Sequence, residues 1–224
     1  MSSELLSYIF LILDGMKFNL IIASVSFFAG LTVASVMFTA SIASEHALSM
    51  VKAYVKLVRG IPPLVLLALV YWVFMPMLGL TRDPLLASIL AFTLRTSAFQ
   101  SQILRTTSAS GDQLAAALAL GMSKLTAARY VIVPQSLRCS LPALTNEFSS
   151  LLKESTQSLA VGVVDSLARA RYVSISTGYS LIWIFLAGLI IYLTSTLFVY
   201  ASRYLYKRFP VSGTVGSGEV TLWR

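Results

Sequence analysis

Asp112–Glu147, DQLAAALALGMSKLTAARYVIVPQSLRCSLPALTNE, is a polar, basic segment set into a chain that is otherwise largely apolar. Leu114, Leu118 and Leu125 recur at helical intervals, and Ala115–Ala117 is a run of the strongest helix former. Gly121 suits the left-handed position just past a helix end, and Lys124 and Arg129 open the next helix. Pro134 and Pro142 then mark the return to apolar sequence. The segment reads as a short exposed helix pair held between two membrane spans, a docking knob.

Outward from the knob, composition decides the class. Of 224 residues, 57% are hydrophobic and 12% charged, whereas soluble domains carry about 25% charged residues. The chain is therefore expected to be an all-α membrane protein, a polytopic bundle of about five transmembrane helices with a cytoplasmic helical loop. The net charge of +8 comes from bases scattered between apolar runs. Scattered bases fit positive-inside loops better than a nucleic-acid face. A single cysteine, Cys139, and a single histidine, His46, exclude an internal disulfide and argue against a metal or catalytic centre built from those residues.

The apolar runs place spans at about 18–44, 60–81, 85–104, 136–164 and 180–202, within a membrane domain of residues 1–204 followed by a cytoplasmic tail, 205–224. The docking knob falls at about 109–133, and 165–179 reads as a polar loop. Gly30, with Ala29 and Ala34, offers a small surface for close helix packing. Pro62-Pro63 suits a helix start, and Pro76 is expected to kink or end the second span. The N-terminus lacks a basic leader and a cleavage site, so the first span is expected to act as an uncleaved insertion signal. With the N-terminus outside, eleven basic residues face inward, Lys52, Lys56, Lys124 and Arg224 among them, against four outward: Lys17, Arg82, Arg169 and Arg171. That bias predicts an outside N-terminus, a cytoplasmic C-terminus and a cytoplasmic knob.

The fourth span carries a polar stripe. Asn146, Ser149, Lys153 and Gln157 follow one helical ridge, and Glu147, Ser150, Glu154 and Ser158 follow the next. Ionisable groups at membrane depth cost several kcal/mol unless they pair or face water. Two readings follow, and both involve Arg95 of the third span: an ion-pair network at a subunit interface, or a solute pathway whose mixed charges suit a zwitterion. Arg95, Glu154, Ser150 and Gln157 are the candidates for the pathway. Glu147, Lys153 and Arg59 are read as structural or interface groups, and no catalytic or metal-binding set emerges. No G-x-x-x-x-G-K-[ST] phosphate loop occurs in the chain, so any ATP that drives it is hydrolysed by another subunit.

The order of motifs carries a resemblance. Ala115-Ala116-Ala117, Gly121, Val133-Pro134-Gln135 and Leu141-Pro142 are similar to the EAA loop of binding-protein-dependent ABC transporter permeases: Glu-Ala-Ala, three residues, Gly, then Ile/Leu-Pro. Val58-Arg59-Gly60-Ile61-Pro62-Pro63-Leu64, Asn146-Glu147-Phe148 and Leu151–Thr156 resemble the polar-amino-acid importer branch. Together they span Tyr54 to Gly162, about half of the chain. One departure is plain: the acidic first position of the loop is Ala115 here, so an ion pair the family makes there is lost.

The resemblance implies a permease subunit, not itself an enzyme, that forms the path for a small polar solute, most plausibly an amino acid. Leu114, Ala115, Ala116, Ala117, Leu118, Gly121 and Met122 would form the coupling loop. The chain would hold no cofactor, with ATP and Mg used by partner ABC ATPase subunits. An extracytoplasmic solute-binding protein and a second permease subunit, identical or related, would complete the assembly in the cytoplasmic membrane. Its other contact is membrane lipid, with no role for nucleic acid. Two rival classes stay open from the residues alone: an ion-gradient-driven secondary transporter or channel using Arg95, Glu147 and Glu154, and a non-transporting scaffold whose knob recruits a soluble partner.

Overall fold

A long apolar run begins the chain, and it forms one helix, α1 (Ser2–Ala43), of 42 residues, twice the roughly 20 that a bilayer crossing needs. It begins well before residue 18, where the uncharged run opens. Asp14 and Lys17 do not interrupt it, because they pair with each other at 2.9 Å and Asp14 also pairs with Arg169 at 2.6 Å. The computed structural model describes residues 2–107 and 110–208, and their regular structure is helical throughout.

Next comes α2 (Glu45–Gly60), amphipathic, with Val51 and Val58 buried and Lys52, Lys56 and Arg59 exposed. The chain then turns by 102° into α3 (Pro63–Met77). Two successive X-Pro bonds cause the turn: the residue before a proline is driven out of the helical region, and both Ile61 and Pro62 are extended, with ψ of 127° and 139°. Pro76 lies near the far end. It lacks an N–H and its ring crowds the carbonyl of the preceding turn. The helix answers with a wide π turn over Val70–Phe74, in which the Met75 N–H reaches the Val70 carbonyl.

α4 (Pro84–Thr107) passes through Arg95 without a break. The knob follows as α5 (Ser110–Ala119) and α6 (residues 124–139), where Pro134 is preceded by the same device, a π turn at Ala128–Ile132. The stretch 136–164, expected as one span, is divided. α6 stops at Cys139, α7 runs Leu141–Glu154, and Ser155–Val161 tightens into a 3₁₀ turn that ends at Gly162. Serines stand at both breaks: Ser140 hydrogen-bonds Thr107 of α4, and the Ser155 hydroxyl donates to the Leu152 carbonyl at 2.7 Å. The expected polar loop at 165–179 is mostly a helix, α8 (Ser166–Thr177), which Asp165 caps by accepting the Ala168 N–H at 2.8 Å. α9 (Ser180–Arg208) ends the described residues. The tail from residue 209 onward, Arg224 included, lies outside them.

Among the described residues, Glu4–Ala43 and Leu181–Tyr204 are each long and apolar enough to cross a membrane, and the bent α2–α3 pair passes the same test only when its two helices are taken together. α4 is too polar to qualify, and α7, at 14 residues, too short. Helix α1 is the spine. Ile22 packs with Leu67, Phe92 and Leu152, Ile12 with Val173 and Trp183, and Ala34 with Leu104 and Ile132. Lipid tails are as apolar as these side chains, so close packing and buried hydrogen bonds hold such helices together, not exclusion of water. Gly30 shows how close: a Cβ there would lie 2.4 Å from Thr96 Cγ2.

Candidate functional site

The polar stripe resolves into a buried charge cluster between α4 and α7. Glu147 and Glu154 lie two turns apart on one face of α7, and Arg95, 5% exposed, fits between them. Its guanidinium donates to Glu147 Oε1 through Nη1 and to Glu154 Oε1 through Nη2, the latter at 2.7 Å. Thr96 adds a hydroxyl to Glu147 Oε1 at 3.0 Å. Phe99, one turn along α4, lies under the Arg95 guanidinium at 4.2 Å and takes that of Arg59 at 4.6 Å. A buried cation is tolerated when its charge is met, and here two carboxylates meet it through Nη1 and Nη2, leaving Nε without a hydrogen-bond partner among the described residues.

The two carboxylates are not equivalent. The Glu147 side chain is 7% exposed and that of Glu154 22%. Glu154 Oε2 and Gln157 Oε1, both buried, have no hydrogen-bond partner among the described residues. Glu147 is thus the shielded anchor, and Glu154 is the member able to accept a further hydrogen bond. The arrangement regroups the residues singled out from sequence. Arg95 and Glu154 come together as the pathway reading has them, with Ser150 half-buried between the two glutamates on α7. Glu147, read as structural, belongs to the same cluster. Gln157 leaves the ridge, since the chain is 3₁₀ from Ser155. Lys153 is exposed and outside the cluster, and Arg59 approaches it only through Phe99.

The knob is capped at its turn by a Schellman motif. The Met122 N–H reaches the Ala117 carbonyl at 3.1 Å and the Gly121 N–H reaches that of Leu118 at 2.9 Å, with Gly121 left-handed at φ 82°. Ser123 then caps α6 by accepting the Thr126 N–H at 3.2 Å. This geometry sorts the apolar residues. Ala117 is buried, Leu114 packs on the cluster of Phe38 and Ile132, and Met122 is half-buried. Ala115, Ala116 and Leu118 stay exposed, joined by Leu120, 82% exposed, and Leu125, 56%. Sequence reasoning missed Leu120 as a surface group. The available signal was its place, one residue before the left-handed glycine, where the last helical turn has already peeled off its neighbours.

A second buried network had no recognised signal. Asn19 of α1 donates to Ser155 Oγ and to Asp165 Oδ2, each at 3.0 Å, and its Oδ1 accepts the Ser166 hydroxyl at 2.8 Å. It ties α1 to the 3₁₀ turn and to the start of α8. A lone amide inside an apolar run was the clue, because burying it unpaired is costly.

Residues 47–209 match the family described as "Binding-protein-dependent transport system inner membrane component". The "Probable amino-acid ABC transporter permease protein YckA" of Bacillus subtilis (strain 168) is 32% identical over 166 residues, 72% of this chain and 73% of that protein. The "L-cystine transport system permease protein TcyB" of the same organism is 28% identical over 181 residues, 80% of this chain and 77% of that one. A solved chain described as "Crystal structure of an amino acid ABC transporter with histidines" superposes with a TM-score of 0.80 at 25% identity, covering 92% of this chain and 97% of its own.

Proposed function

The chain belongs to the family of binding-protein-dependent transport system inner membrane components, and from that premise we propose how it works as the permease subunit of an ATP-driven amino-acid importer. It is a multi-pass membrane protein, and partnership with ATPase and solute-binding subunits comes with the family. The amino-acid class is supported by similarity to permeases named for amino acids and by a cluster holding both signs of charge at Arg95, Glu147 and Glu154. In this reading a second permease copy, identical or related, completes the pathway, and Glu154 meets the passing solute while Glu147 keeps Arg95 in place. On the same reading, ATP and Mg are used by the ATPase subunits and not by this chain.

The observation that carries the reading is the knob formed by α5 and the start of α6. Its turn is rigidly capped, yet it presents Leu118, Leu120 and Leu125 to solvent. Apolar side chains so placed on a basic loop suit a cleft on a cytoplasmic ATPase, which is the side the positive-inside bias assigns to the loop. The test is reconstitution with an ABC ATPase and a solute-binding protein of the same family of importers. ATP hydrolysis stimulated by an amino-acid-loaded binding protein is the expected result. Amino-acid uptake that follows an ion gradient and ignores ATP would replace this reading with a secondary transporter.

A further inference from the structure

Lys52, Lys56 and Arg59 follow one another along a single face of α2, and Gln102, Arg105 and Thr106 of α4 close the opposite side of a cleft of about 510 Å³. None of the four cations forms an ion pair among the described residues. α4 holds no acidic residue, and Glu45, the sole acid of α2, lies two turns before Lys52. Like charges held around one cleft repel at a range comparable with the screening length of about 8 Å, and an anion between them removes that cost. Arg59 is already held in place, its guanidinium resting on the Phe99 ring at 4.6 Å.

The surroundings identify the kind of anion. The cleft adjoins the 102° bend into α3, where the chain passes from the basic, amphipathic α2 to a helix with no charged residue. The same two helices also expose apolar side chains: Leu64 (47%) at the start of α3, and Met50 (74%) and Leu57 (67%) on the face of α2 turned away from the cations. A free anion has no use for that surface, whereas acyl chains do. Basic pockets between membrane helices are a recurrent way of holding anionic headgroups.

We propose that the cleft between α2 and α4 seats the phosphate of an anionic phospholipid headgroup through Lys52, Lys56, Arg59 and Arg105. The proposal rests on the membrane-permease reading above for its bilayer. It is tested without ATPase, binding protein or solute, so its failure leaves that reading standing, and failed uptake leaves the lipid count readable.

The experiment places the full-length chain in nanodiscs of equal phosphatidylglycerol and phosphatidylcholine and counts lipids retained on release by native mass spectrometry. The wild type should retain phosphatidylglycerol in preference. At about fivefold per cation, Lys52→Gln with Lys56→Gln should lower the preference about 25-fold, while Lys52→Arg with Lys56→Arg keeps it. Equal retention of the two lipids by the wild type, or an unchanged preference in the glutamine pair, overturns the proposal, as does loss of preference in the arginine pair. A second arm adds inorganic phosphate. If phosphate stabilises the wild type against heat in pure phosphatidylcholine discs and strips phosphatidylglycerol from mixed ones, the cleft takes a free anion and the lipid assignment falls. No effect of phosphate in either disc supports the lipid.

Discussion

Arg95 holds its place through its neighbours, and they carry unequal shares. With Glu147 shielded and Glu154 partly open, removing each should have a different effect. Arg95→Gln strands two carboxylates in the bundle and should lower the folded subunit in the membrane by about 3–5 kcal/mol equivalent, the usual range for breaking a buried pair. Glu154→Gln leaves the Arg95–Glu147 pair intact, so abundance should fall less than in Arg95→Gln, while uptake or solute preference changes. A double-mutant cycle on Arg95 and Glu154, with abundance and uptake read separately, resolves the two roles. Restored abundance with unaltered uptake in the double variant would sink the pathway role of Glu154. That these charges needed partners was legible from their depth in apolar sequence. That Glu147 shares the cluster was not, because helical spacing puts residues on a common face without saying which helix that face meets.

At the level of elements, the knob shows how local chemistry sets a turn and packing sets what the turn displays. Gly121 holds φ 82° in open space, so Gly121→Val fails for backbone reasons alone, at roughly 1–3 kcal/mol. It should loosen the knob and cut ATPase coupling while leaving the subunit in the membrane. Leu120→Asp places a carboxylate on a surface that is exposed in this chain. Folded abundance should match the wild type, and assembly with the ATPase, read by co-purification, should be lost. Leu114→Asp is the contrast: that side chain packs on Phe38 and Ile132, and its loss should appear as less folded subunit. Equal co-purification of the Leu120→Asp variant would leave the knob as a surface connector. Contact between α1 and α4 is a further case. Gly30→Val would drive a Cβ to within 2.4 Å of Thr96 Cγ2 and 3.2 Å of the Ser97 nitrogen. The purified variant should melt well below the wild type, by a shift larger than Gly188→Ala gives, since nothing lies within 4 Å of a Cβ at Gly188.

Over the whole molecule, charge bias predicts which way the bundle points, with a cytoplasmic knob and a C-terminus on the same side. Single cysteines on a Cys139→Ser background test this in intact cells with a membrane-impermeant thiol reagent. Ser176→Cys, exposed near the end of α8, is a better outside reporter than Arg169, whose guanidinium pairs with Asp14 at 2.6 Å. Ser176→Cys should label and Lys124→Cys should not; the reverse pattern would invert the orientation.

Composition, the spacing of prolines and the ordered EAA-like motifs were enough to place this chain among helical membrane permeases, because apolar run length and turn chemistry are local quantities that each segment carries by itself. The Gly121 turn and the helix start at Pro62-Pro63 belong to the same class. Three things waited for the tertiary structure. Residues 136–164 divide into three pieces, since Ser140 and Ser155 take partners from the distant Thr107 and Asn19. Glu147 joins the Arg95 cluster because α7 lies against α4. The basic cleft exists because α2, bent back at Pro62-Pro63, brings its charged face to the end of α4. In each case the deciding contact joins residues more than thirty positions apart, and no local pattern encodes which helices meet.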